Sequence, residues 1–470
     1  MEPLLQPVSD SATPHCPEAR IAALRAELQR LDPALALVGP EAPAELKRLS
    51  RDYFDYSPVL VPQLQACRAQ LVAAAVTVEH VRLVAGACAR HRVPLTVRGA
   101  GTGNYGQCVP LQGGLVLDLT GLQRLRQLDE ATGVMEVEAG ALMGAIEQQL
   151  ALRGRALRLV PSTVRSATIG GFMAGGSGGI GSLRWGFLRD AGNLLGLEVV
   201  TLEPEPRLLQ LDAVASAPLN HAYGTNGILT ALRLPTTEAV AWQQIVVGFE
   251  QWERALAAAQ ALAATALELN SITLLEAPLA QPLPWPAGCP APEGKEHRLL
   301  LLAAPAALAV LPAWLEARGG ALRWQAPQGQ SRGLPLRELT WNHTTLHWRA
   351  QHKGWTYLQM LLPQPEGPCL ERLRARWGDD LLWHLEAVQQ QGAARLAALP
   401  LVRWRGEEAL ERLMADCRDA GAVLFNPHVI SVEDGGLGVI DADQVAAKAA
   451  YDPAGLLNPG KLRGWLSSPG

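Results

Sequence analysis

Glycine is unevenly placed in this chain, and its placement constrains the fold more than any other feature. Of 45 glycines in 470 residues, 19 fall between Arg98 and Gly186. Each interior glycine costs a helix about 1 kcal/mol relative to alanine, so this density argues against long helices there. It calls instead for tight turns and for backbone that approaches another group closely. Tryptophan is distributed the opposite way, with 11 of 13 between Trp242 and Trp404. The two patterns predict a glycine-rich domain and an aromatic-rich one, with a boundary near residue 238.

Charge narrows the function. With 41 Lys plus Arg, 45 Asp plus Glu and no basic run, the net charge of -4 leaves no footprint for nucleic acid or an anionic membrane. The seven cysteines form no C-x-x-C pair, which excludes a zinc ribbon and a disulfide framework. They read as reduced thiols in a cytoplasmic protein. Residues 1–18 carry Glu2, Asp10 and Glu18 and no apolar core, so no secretory signal is expected. The uncharged stretch 299–315 is interrupted by Pro305 and Pro312. It reads as a strand over 299–304, a turn, and a helix from Pro305 through Glu316, not as a transmembrane segment.

Apolar periodicity predicts helices over Glu18–Leu31, Val78–His91 and 142–152, and strands over 93–97, 115–119, 135–139 and 194–202. Helices and strands alternate irregularly, which predicts a mixed α/β or α+β fold. No fixed-period repeat is present.

Three glycine-rich turns carry the chemistry. The first, Gly101, Gly103 and Gly106, spells G-x-G-x-x-G after a strand. A nicotinamide dinucleotide site would need a helix to start at that loop and an acidic residue about 20 positions on. Here Pro110, Gly113, Gly114 and another strand follow instead, so that reading fails. Glycine turns without a helix still gather backbone N–H groups into an oxyanion nest. The second turn holds six glycines between Gly170 and Gly179, too many for a helix interior, and the third is Gly224 to Ile228. Together they suggest one extended phosphate-containing ligand. Arg98, at the strand exit, is either structural or adds positive charge.

The segments PLTVRGAGTG (94–103) and GGLVLDL (113–119) resemble the first flavin-binding segment of the FAD-linked oxidases, the superfamily of vanillyl-alcohol oxidase, p-cresol methylhydroxylase and the glycolate oxidase flavin subunit. VEAG (137–140), TIGG (168–171), RWGFLRD (184–190), GTNGI (224–228) and YDPAGLLNPGK (451–461) match its later segments in order. The resemblance implies a two-subdomain FAD-binding domain over 55–237 with an inserted α+β substrate, or cap, domain over 238–439. A helical extension (1–54) precedes them, and 440–470 returns to the flavin domain. It also implies that amides of Gly99, Ala100, Gly101, Thr102, Gly103 and Asn104 hold the FAD pyrophosphate. Pro161, Ser162, Thr168, Gly170, Gly171, Gly175 and Ser177 are then expected along the flavin and ribityl chain. Gly227 and Ile228 fall on the adenine side, and Asn458 and Lys461 return to the flavin. Members that tether FAD covalently place a histidine in the first loop; Thr102 stands there here, so dissociable FAD is expected.

The implied reaction is hydride transfer from an alcohol or 2-hydroxy acid to flavin, with a small-molecule substrate and an unidentified electron acceptor. An alternative is a flavin-binding subunit without its own substrate site, and a third is reduction of a double bond with nicotinamide as donor. The proton from the hydroxyl requires a base, and histidine suits that role near neutral pH. His343, His347 and His428 are the candidates, and His343 and His428 are expected to face the flavin. Thr344, Thr345 and the two tryptophans of 340–348 favour a strand. That strand would set His343 and His347 about 13 Å apart, too far for one metal ion. No metal site is expected, since the family's metal-binding His-Gly-Asp-Gly-Asn segment is absent. Arg332, Arg337 and Arg349 are candidates to clamp a carboxylate.

Overall fold

The computed structural model describes residues 15–330 and 332–466. Most of 1–18, on which the expectation of no secretory signal rests, lies outside the described residues. Four sheets organise the chain. The first orders its strands Ala36–Val38, Leu71–Ala74, Leu115–Asp118 and Leu95–Arg98, the last three mutually parallel. The stretch expected as a helical extension therefore also supplies an antiparallel edge strand. Helices Glu18–Leu31 and Val78–His91 turn Leu24, Leu28, Val81, Val84 and Cys88 onto this sheet. Thr77 caps the second of them by accepting from the His80 amide, which satisfies one of the unpaired N–H groups at a helix start.

The second sheet is antiparallel and is built around the long strand Ile228–Glu238, flanked by Val134–Glu138 and Gly196–Val200. The third has eight strands, with His297–Ala303 buried along its whole length between Gln243–Phe249 and Leu269–Leu275. The uncharged stretch 299–315 is thus a core strand, then a 3₁₀ turn over Pro305–Ala309 and a helix Leu311–Glu316. A small fourth sheet carries Trp355–Tyr357. Among the described residues, no strand ladder joins the sheets of 36–238 to those of 243–425.

The C-terminal segment closes back on the first sheet. Leu457 bridges Leu95 in parallel, and the Asn458 amide donates to the Leu95 carbonyl at 2.7 Å. Lys448, buried, donates to the Thr225 and Leu457 carbonyls and to Asp452, fixing the chain for this return.

Two local expectations fail. The residues from Ile169 to Gly175 form a short helix despite Gly170, Gly171 and Gly175. Thr168 caps it, and a Cβ at Gly170 would lie 2.7 Å from the Ala139 carbonyl, so close packing requires glycine there and overrides helix propensity. The segment expected as a strand around His343 is the helix Asn342–Gln351. It buries Thr344, Thr345 and Trp348 on one face, a packing gain larger than a β-propensity scale that spans only about 1 kcal/mol.

Candidate functional site

One cavity of about 1290 Å³ lies where the three glycine turns meet the strands and helix of the aromatic-rich half. Its floor includes Gly99, Ala100, Gly101, Thr102, Gly103 and Asn104 from the first turn. Pro161, Ser162, Thr168, Gly170, Gly171, Gly175 and Ser177 follow from the second, and Gly227 from the third. The opposite wall is Trp341, Asn342, His343 and Leu346 from one helix, with Gln359, Met360 and Phe425 from two strands.

The first turn fits a dinucleotide. The amides from Gly99 through Asn104 donate no hydrogen bond to any described residue. Backbone donors that are neither exposed nor paired are costly, and a pyrophosphate supplies the acceptors they lack. The first and second turns touch, since a Cβ at Gly99 would lie 2.1 Å from the Thr168 hydroxyl oxygen. Behind the loop, buried Arg98 donates to the Arg51 carbonyl at 2.5 Å and to the Ala100 carbonyl at 3.3 Å, which makes it a scaffold for the turn. Asp52 and Lys461 lie in the same buried layer, and burial pushes the Asp52 carboxyl up to about 6 and the Lys461 ammonium down to about 8.

Ile228, Asn458 and Lys461 stand behind the cavity wall. Ile228 is in the core of the first sheet. Asn458 donates through Nδ2 to the Gln107 and Tyr223 carbonyls, and Lys461 donates through Nζ to the Gln107 and Val109 carbonyls. Both side chains hold the glycine turns in place. Cys108 points to Arg98, 3.3 Å away, and burial raises its thiol to about 11.

The histidines separate. His343 lines the cavity, and its Nδ1 lies 3.0 Å from Glu338 Oε2. Glu338 in turn lies 2.8 Å from Arg165 Nε. Burial pushes the Glu338 carboxyl up, but His343 and Arg165 outweigh it and hold it below the ordinary carboxylate range. His347 shares the helix face but turns Nε2 to the Glu338 carbonyl at 2.9 Å, and burial lowers its imidazole. Among the described residues no group of three or more His, Cys, Asp or Glu is arranged to hold a metal ion.

His428 does not reach the cavity. It is 3% exposed, with Nδ1 2.8 Å from the Ser57 hydroxyl and Nε2 2.9 Å from the Tyr357 carbonyl, and burial pushes it down to about 4. The unfolded chain takes up this proton near pH 6.5. The native state therefore keeps full stability above about pH 6.5 and loses it as pH falls toward 4, by up to about 3 kcal/mol from His428 alone. Urea midpoints measured from pH 7.5 to 4.5 should fall steeply, and His428→Gln should flatten that slope; an equal slope in the variant would refute the assignment.

The helix bearing His343 starts from a strained anchor. Trp341 has φ 52° and ψ -143°, a conformation that side chains rarely adopt, and its amide donates to Glu386 Oε1 at 2.7 Å. Glu386 is buried with His384 and the Thr273 hydroxyl as its other partners. Nearby, Asn104 Nδ2 donates to the Tyr357 hydroxyl at 2.7 Å, and Tyr105 lines the cavity with Asn342 and Gln359. These tyrosines carried no sequence signal. Neither did His221, which lines the cavity with φ 55° and Nδ1 2.9 Å from the Gly176 carbonyl. The three candidate arginines lie elsewhere: Arg337 pairs with Glu147, Arg349 donates to the Asp55 carbonyl, and Arg332 is not part of the cavity wall.

Comparison with known proteins agrees with this geometry. Residues 69–207 match the FAD binding domain family. The chain is 33% identical over 145 residues to the glycolate oxidase subunit GlcD of Bacillus subtilis, covering 31% of this chain and 30% of that protein. It is 26% identical over 202 residues to a D-lactate dehydrogenase of Anaerostipes hadrus, covering 40% and 41%. The chain thus matches less than half the length of either. Two solved structures share the fold. One is an alkyldihydroxyacetonephosphate synthase, at TM-score 0.72 and 13% identity over 98% of this chain and 88% of that one. The other is a variant of BBE-like 1 from Physcomitrella patens, at TM-score 0.67 and 12% identity over 93% and 98%. The open amides of Gly99 to Asn104 fall inside the stretch, residues 69–207, that matches the FAD binding domain family.

Proposed function

We propose that the protein is an FAD-dependent oxidoreductase that oxidises the CH–OH group of an alcohol or 2-hydroxy acid. One observation carries the reading: a single cavity joins the glycine cradle to a wall that presents His343 backed by Glu338. FAD bound in the cradle supplies a two-electron acceptor. His343 accepts the hydroxyl proton, with Glu338 orienting its ring through Nδ1 and Arg165 keeping that carboxylate charged. Asn342, Gln359 and Tyr105, which line the cavity, supply neutral hydrogen-bonding groups that orient the substrate oxygen. The relatives named for glycolate and D-lactate support the CH–OH assignment.

The test is anaerobic: the purified holoprotein should lose its flavin absorbance when mixed with a productive hydroxy compound. Lack of bleaching by hydroxy acids, alcohols and sugars alike, with a co-purifying partner, would favour a flavin-binding subunit, a reading supported by the relative that is itself named a subunit. We place the flavin in noncovalent linkage, because Thr102 offers a hydroxyl where a tether needs an imidazole. Acid precipitation should leave the yellow colour in the supernatant; colour in the pellet would reverse this. Among the described residues no helix is long and apolar enough to cross a membrane, and the seven free cysteines support a reducing, cytoplasmic setting.

A further inference from the structure

The cavity rim carries large apolar side chains in contact with solvent. Leu437 is 68% and Val439 70% exposed, and Ile440, Val423 and Leu346 are also exposed; all five line the cavity. Three belong to one glycine-punctuated stretch, with Gly436 and Gly438 around Leu437. Exposed apolar side chains gathered in one place mark a binding surface, whereas scattered ones do not. Charge points the same way. Among the described residues lining the cavity the only arginine is Arg189, and it is held 2.8 Å from Asp441; no lysine lines it. His221 is kept neutral by burial, and His343 already faces Glu338. A substrate carboxylate would enter without a free cation to receive it, a desolvation cost that small 2-hydroxy acids cannot offset by apolar contact. The volume exceeds the roughly 300–1,000 Å³ typical of a cleft for one small molecule, which leaves room beside a dinucleotide.

We propose that the substrate is an uncharged alcohol with an apolar tail, the tail lying along Leu346, Val423, Leu437, Val439 and Ile440. This rests on the CH–OH oxidation reading above. The test is anaerobic flavin bleaching of the holoprotein by 1-alkanols from propanol to octanol, beside glycolate, D-lactate and 2-hydroxyoctanoate. The expected result is a reduction efficiency that rises about fourfold per added methylene, as apolar burial predicts, with 2-hydroxyoctanoate at least about tenfold below octanol. Leu437→Ser with Val439→Ser, both exposed positions, should reduce the rise to less than about twofold per methylene with flavin content unchanged. Bleaching by glycolate or D-lactate as efficient as by octanol would overturn the apolar-tail proposal and leave CH–OH oxidation standing. Bleaching by none of these compounds would overturn both. An unchanged chain-length dependence in the double variant, with a shifted elution volume in gel filtration, would assign the rim to a protein contact and overturn the proposal.

Discussion

Gly101→Val should leave a folded protein that no longer retains flavin. Two penalties act at this position. Gly101 has φ +69°, and a side chain forced into that region costs about 1–2 kcal/mol. Its Cβ would also lie 2.1 Å from an Arg98 guanidinium nitrogen, and Arg98 is itself tied to the Arg51 and Ala100 carbonyls, so it has little freedom to retreat. The turn must therefore move, and with it the amides aimed at the cavity. We expect FAD affinity to fall at least about 100-fold, equivalent to about 2.7 kcal/mol. The ratio of flavin to protein after gel filtration reads this directly, with far-UV circular dichroism as the folding check. Gly154→Ala is the control, because Gly154 shares a φ of +65° but has nothing within 4 Å of its Cβ position. Equal flavin retention in Gly101→Val and Gly154→Ala would show that the first turn does not hold the cofactor.

His343→Ala should slow substrate-dependent flavin reduction by about 10²–10⁴-fold, the usual contribution of a positioned base, while flavin content stays unchanged. His343 faces the cavity, whereas the packing of its helix depends on buried Thr344, Thr345 and Trp348, so the fold should tolerate the change. Added imidazole should restore part of the rate. Glu338 is a positioning residue in this scheme. Glu338→Gln should reduce the maximal rate about tenfold with substrate affinity little altered, because a neutral partner at 3.0 Å no longer stabilises the charge that His343 gains. A wild-type rate in His343→Ala would remove the residue from the mechanism and point to Tyr105, which also lines the cavity.

The flavin cradle was legible in the sequence because it is made of backbone. Gly99, Gly101 and Gly103 present amides whose direction follows from local turn geometry, and a turn signals itself by the residues that tolerate it. Core strands were legible for a similar reason, since the uninterrupted apolar run in His297–Ala303 has no other satisfactory location than the interior of a sheet. Local reasoning misjudged the segment from Ile169 to Gly175. Its Gly170 serves packing against Ala139 rather than turn formation, and that neighbour is distant in sequence.

The catalytic wall shows the same limit more sharply. Sequence offered His343, His347 and His428 as candidates and expected His343 and His428 to face the flavin. They differ only in what surrounds them: Glu338 and the open cavity for His343, the Glu338 carbonyl for His347, and Ser57 with the Tyr357 carbonyl for His428. Likewise Asn458 and Lys461 sit in a motif associated with flavin, yet they spend their donors on the Gln107, Val109 and Tyr223 carbonyls that shape the loops. What the sequence alone determined was the cofactor cradle and its phosphate chemistry, because backbone donors are specified by short-range conformation. What only the tertiary structure decided was which side chains line the cavity opposite that cradle and that Arg189, the only arginine among the described lining residues, is paired with Asp441, because both depend on contacts between residues separated by tens to hundreds of positions.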